Sequence, residues 1–163
     1  MLDHFAPLAT PRLELRPIGR DLARSIAGGD VSALRTAPGW PQPGTVNGVR
    51  MALERGQPAG WLVILDDEVV GDCGVHAPVD EDGRVEIGYG LAEPFRGRGL
   101  GTELVSTVSG WLLDHPDVRE VSARIERDNA ASRRVLERAD FEPLRAASPS
   151  DDLLTLVRRR PKA

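Results

Sequence analysis

Lysine occurs once in the 163 residues, as Lys162; cysteine once, as Cys73; and tyrosine once, as Tyr89. Each scarcity excludes something. Without a lysine after a glycine-rich turn there is no G-x-x-x-x-G-K-[ST] phosphate loop. A lone cysteine forms no internal disulfide, which suits a reducing compartment, and Cys73 in the strand-like run VVGDCGV is expected as a small buried hydrophobe. Aromatic residues make up 4% of the chain and the net charge is -4, which argues against a nucleic-acid binder. No apolar run approaches the ~20 residues of a membrane span, and MLDHFAPLAT carries neither a basic nor an apolar targeting region. The expectation is a soluble, cytoplasmic protein, monomer or homodimer, folded as a single domain over residues 1–163 with no membrane or nucleic-acid partner.

What is present alternates between two periodicities. RLELRPI alternates as a half-buried strand, GRDLARSIAGGD reads as a short helix, and residues 36–58 are rich in Pro and Gly and read as a long loop with a helix from Val46 to Arg55. Two strands follow in WLVILDDEVVGDCGVHA, joined at DDE, and a third in VEIGYGL after the turn DEDG. In that third strand Val85, Ile87, Tyr89 and Leu91 share one face, while Glu86, Gly88 and Gly90 share the other. Leu100, Leu104, Val105, Val108, Trp111 and Leu112 recur at helical spacing. VSARI is a strand, DNAASRRVLERA a helix capped by Asp128 or Asn129, and DLLTLVRR a last strand. The pattern is that of an α/β fold around one mixed sheet.

Between the third strand and the long helix stands RGRGLGT, Arg96 to Thr102. A helix start carries unpaired N–H groups and the positive end of the dipole, so this is an anion site. Gly97, Gly99 and Gly101 admit close backbone approach, Thr102 adds a hydroxyl, and Arg96 and Arg98 add charge. A dinucleotide fingerprint fits poorly, because the glycines fall at every second position and no carboxylate ends VSARI before Glu126. What the spacing matches is R-x-x-G-x-G.

On these residues the chain resembles the GNAT superfamily of N-acetyltransferases. EIGYGLAEPFRGRGLGTEL resembles its acetyl-CoA-binding core, RDNAASRRVLERADFEPL is similar to its following motif, and TPRLELRPI looks like the opening strand of the ribosomal-protein-alanine acetyltransferase-like branch. The resemblance implies a mixed central sheet, splayed in the middle and flanked by helices on both faces. It implies that the amides from Arg96 through Leu100 to Thr102 hold the pyrophosphate of acetyl-CoA. The pantetheine arm then pairs along Tyr89, Gly90 and Leu91, with Asn129 and Ser132 reaching toward it. No metal is implied.

Acetyl transfer to an amine needs a base, since an alkyl ammonium titrates near ~10. Glu86, on the glycine-bearing face and at a position where many relatives carry a glutamate, is the candidate, acting directly or through a water; His76 is its rival. The family often protonates the leaving thiolate with a tyrosine, at a position that holds Leu136 here, so Ser132 or a water is the substitute, and Tyr89, on the opposite face, is assigned to packing. Asp140 stands where the family has glycine. The expected function is acetyl transfer from acetyl-CoA to a primary amine of a protein N-terminus or a small molecule. A non-catalytic acetyl-CoA-binding sensor is the alternative.

Overall fold

The computed structural model describes Leu2, residues 4–144 and residues 152–162; the expected domain ends, Met1 and Ala163, lie outside them. The strands are β1 (Leu8–Ala9), β2 (Glu14–Pro17), β3 (Trp61–Leu65), β4 (Glu68–Val75), β5 (Arg84–Leu91), β6 (Glu120–Glu126), β7 (Glu142–Pro143) and β8 (Leu153–Arg159). The helices are α1 (Arg20–Ala27), α2 (Pro43–Glu54), α3 (Leu100–Asp114) and α4 (Ala130–Arg138). The strands form one sheet in the order β1-β2-β3-β4-β5-β6-β8-β7. All neighbours are antiparallel except β5 and β6. Among the described residues no helix is long and apolar enough to cross a membrane.

The parallel pair positions the site. β5 and β6 are in register only at Arg84↔Glu120, Val85↔Val121 and Glu86↔Ser122. Beyond Glu86, β5 stays with β4 through Gly71↔Leu91, and β6 stays with β8 through Glu126↔Leu153. Each half of the sheet is held on its outer side and open on its inner side, so a cleft begins at Ile87. This is the expected splay.

Helices cover both faces. α2 lies over the face that bears Asp72 and Gly90: Thr45 bonds Asp72, and a Cβ built on Gly90 would stand 2.6 Å from Gln42 Oε1. α3 lies over the other face, where Gly101 approaches Leu91. Four consecutive residues of β3, Trp61 to Ile64, are at most 4% exposed, as a strand covered on both sides requires. Cys73 is buried and unbonded, and burial pushes its thiol up.

Two local readings change. The helix expected from Val46 starts at Pro43, whose missing N–H is no loss at a first helical position. The two-residue β1 and β7 were not expected. The turn after β3 is as expected: Asp66 and Asp67 have φ of 51° and 63°, the conformation of a tight hairpin with two left-handed residues.

α4 ends in a Schellman motif. Phe141 N donates to Leu136 O, and Asp140 N donates to Glu137 O with Asp140 at φ 67°. The family's glycine position is therefore left-handed here, held by an aspartate. Left-handed backbone costs an L-residue roughly 1–2 kcal/mol. Asp140→Gly is expected to raise stability by up to ~1 kcal/mol, read as a higher denaturation midpoint at an unchanged m-value.

Candidate active site

The turn before α3 is an anion cradle. Gly97 and Gly99 have φ of 73° and 79°, left-handed values that favour glycine, and Gly99 is the N-cap. Arg96 N donates to Glu93 O, so its amide is spent. The next six backbone N–H groups, Gly97 to Thr102, donate to no acceptor among the described residues. The free run begins one residue later than expected.

These amides open onto a groove of about 420 Å³. Gly97, Gly99, Gly101 and Thr102 form one wall, Asn129 and Ser132 the other, with Tyr89, Gly90, Leu91 and Arg96 between them. Asn129 is the N-cap of α4, its Oδ1 accepting from Ser132 N at 3.1 Å. Two expected residues do not line the groove. Arg98 places its guanidinium 5.2 Å from the Phe95 ring centroid, and Leu100 is 1% exposed in the core. Arg96 lines it but donates from Nε to Leu91 O at 3.0 Å. Arg96 keeps its charge there, and further positive charge comes from Arg134 and Arg138, which reasoning from sequence did not assign to the site. Their i,i+4 spacing was the available signal, since it puts both on one helix face, while Arg133 pairs with Glu137.

A second cavity of about 540 Å³ lies under α2 and meets the groove at Gln42, Tyr89 and Gly90. Glu86, Gly88 and Gly90 line it from β5, Asp72 and Gly74 from β4, and His76 from just past the end of β4. The glycines are not bare in the sense expected. A Cβ on Gly88 would stand 2.3 Å from His76 Nε2, so the two glycines make room for the protein's own His76 and Gln42 side chains.

Glu86 is in the cavity but engaged on both oxygens. Arg124 donates from Nε to Oε1 at 2.5 Å and from Nη2 to Oε2 at 3.3 Å, and His76 Nδ1 stands 3.3 Å from Oε2. The candidate base and its rival are thus in contact. Asp72, which sequence reasoning missed, is the other carboxylate of the cavity. Its Oδ2 accepts from Trp40 Nε1 at 2.9 Å and Thr45 Oγ1 at 2.5 Å. Burial pushes its carboxyl above the ordinary range, opposed by the bonds from Thr45 and Trp40. Nothing in the run GDCG marks it, because Trp40 and Thr45 stand 32 and 27 residues away.

The leaving-group side also differs. Leu136 is fully buried and does not line the groove, so it is a core position. Leu136→Tyr is expected to lower stability by roughly 1–3 kcal/mol through overpacking, without raising turnover; calorimetric melting checks this. The tyrosine that does line the groove is Tyr89. Its ring packs against the core, as expected, but its hydroxyl is buried and within hydrogen-bond geometry of no partner among the described residues; burial pushes it up to about 12, opposed by the nearby Ser132.

Among the described residues no three His, Cys, Asp or Glu side chains stand together as a metal site. Residues 12–142 match the family described as Acetyltransferase (GNAT) domain. The chain belongs to the GNAT acetyltransferase family. It is 32% identical over 83 residues to the uncharacterized N-acetyltransferase YjdG of Bacillus subtilis, covering 50% of this chain and 49% of that protein. The chain thus spans about half the length of the curated relatives it matches. The GNAT fold is shared with RimL, a ribosomal alpha-N-protein acetyltransferase solved with coenzyme A, at TM-score 0.66 and 20% identity, covering 94% of this chain and 98% of RimL. It is shared too with AAC(6')-Ib, solved with ribostamycin and coenzyme A, at TM-score 0.64 and 18% identity, covering 91% and 94%.

Proposed function

We propose that this GNAT protein transfers the acetyl group of acetyl-CoA to a primary amine of a protein N-terminus or a small molecule. The observation that carries the reading is the run of six unpaired amides, Gly97 to Thr102, at the head of a groove that meets a second cavity at Gly90. The residues fit the co-substrate. The amides would hold its diphosphate with charge from Arg134 and Arg138, and Tyr89 to Leu91, Thr102, Asn129 and Ser132 would line the arm. Acetyl-CoA supplies, when bound, an activated acyl carbon and a thiolate leaving group.

The acceptor enters through the cavity under α2. Glu86 is the proposed base there, acting through a water, because Arg124 and His76 already occupy both oxygens. The acceptor range follows the chemistry of the amine alone: RimL's partner is a protein and AAC(6')-Ib was solved with an aminoglycoside. The test is thiol release from acetyl-CoA with peptides bearing free N-termini, aminoglycosides and polyamines, alongside calorimetry with coenzyme A. Tight binding with no thiol release for any amine would replace this reading with the non-catalytic sensor.

A further inference from the structure

Asp72 is the carboxylate of the acceptor cavity that has no cationic partner among the described residues. The other, Glu86, is matched by Arg124 and His76, and Arg55 at the same cavity donates to His76 O. Asp72 stands on β4 in register with Gly90 of β5, the residue at which cavity and groove join. Directly paired residues have side-chain positions roughly 4.5–5.5 Å apart, so Asp72 is next to the point where acceptor and arm meet. Its two hydrogen bonds, from Trp40 and Thr45, both go to Oδ2. Oδ1 accepts none among the described residues. The carboxylate is fixed in orientation, desolvated, unneutralised, and has one oxygen free on the wall of the cavity.

We propose that Asp72 is a catalytic residue that receives the acceptor: its Oδ1 binds the substrate's primary ammonium opposite Gly90 and takes the first of the two protons that nitrogen loses. The proposal rests on the acetyltransferase reading and adds that the acceptor docks as a cation. The ammonium gives one proton to Oδ1, and the freed lone pair forms the C–N bond. The second proton leaves the nitrogen through water toward Glu86 as the C–S bond breaks. The thiolate departs with the C–S electron pair and takes a proton from solvent, and Asp72 returns its own proton to water. One proton is released per turnover.

A loop anchor alone would not need the charge. Asparagine at this position also presents an oxygen to Trp40 and Thr45. The raised carboxyl stabilises the fold only while protonated, an effect present below the unfolded aspartate value and lost as pH rises through the folded one. At neutral pH the ionised group is a net penalty, which asparagine removes. The titratable and charged groups around it are Arg55 at the C-cap of α2, His76 just past the end of β4, Glu86 on β5 and Arg124 on β6, with Cys73 and Tyr89 on the opposite face.

The experiment is Asp72→Asn with two readouts. The variant is expected to melt no lower than wild type at pH 7, to bind coenzyme A as wild type does, and to acetylate the best amine of the panel at less than about a hundredth of the wild-type rate. The second readout is the indole N–H resonance of Trp40, assigned with Trp40→Phe, which reports the protonation of Asp72 through their hydrogen bond. In wild type, n-butylammonium is expected to move that titration to lower pH. Tetramethylammonium, which has the charge but no N–H, is expected to leave it in place. Turnover above about a tenth of wild type in a folded variant, or a Trp40 titration indifferent to butylammonium, overturns the proposal. If wild type acetylates no amine, the acetyltransferase reading fails by itself, and the indole titration still decides Asp72.

Discussion

Gly99→Val is expected to abolish calorimetrically detectable coenzyme A binding while leaving the fold in place. Gly99 sits at φ 79° as the N-cap of α3, a conformation that a β-branched residue adopts only under strain. A Cβ there would also come within 3.2 Å of Arg12 Nη2, whose Nε is held 2.6 Å from Glu103 Oε1. Relief requires the turn to rotate out of the left-handed region, which swings the adjoining amides away from the groove. Hydrogen bonds to a charged group contribute ~1.5–3 kcal/mol each, so losing two of six removes ~3–6 kcal/mol, a fall of about 10²–10⁴-fold in affinity. The core of α3 lies on Leu104, Val105, Val108 and Leu112, none more than 0% exposed and all at least one turn away, so the circular dichroism spectrum should persist. Unchanged affinity would move the diphosphate away from these amides.

Local chemistry made the cradle legible. Glycine at every second position after a strand and before a helix has few other uses, and the amides of Gly97 to Thr102 are unpaired as that pattern requires. Asn129 as a cap and the Asp66–Asp67 turn were legible for the same reason, since each is decided within four residues. Which neighbouring arginine faces the groove was not. Arg98 was expected on the anion and stacks on Phe95; Arg134, given no role from the sequence, lines the groove. Rotamers decide which arginine faces which way, and spacing on a helix constrains them more than spacing in a turn. The cavity under α2 was least legible. Glu86 meets Arg124 across 38 residues, and Asp72 meets Trp40 across 32, in contacts that exist only once β4, β5, β6 and the segment before α2 are brought together.

Glu86→Gln is expected to lower turnover by ~10²–10⁴-fold, the usual contribution of a positioned base, with coenzyme A affinity hardly changed. Affinity is spared because Glu86 lies outside the groove that would hold the arm and diphosphate. Thermal stability does not separate this role from a purely structural one. The Glu86–Arg124 pair is 21% and 55% exposed, and ion pairs in such settings contribute ~0–1 kcal/mol, so the variant should melt close to wild type whichever role is correct. Stability therefore cannot stand in for the kinetic readout, and kcat must be measured where chemistry limits the rate. On the proposed mechanism Glu86 and Asp72 serve different protons of the same nitrogen, which separates their variants: Asp72→Asn is expected to remove the Trp40 titration, and Glu86→Gln to leave it, with its response to butylammonium, intact. If Glu86→Gln retains more than about a tenth of wild-type turnover, the fall is too small for a base. Glu86 is then the partner that holds Arg124 and His76 at the cavity wall, and the second proton passes to bulk water without it.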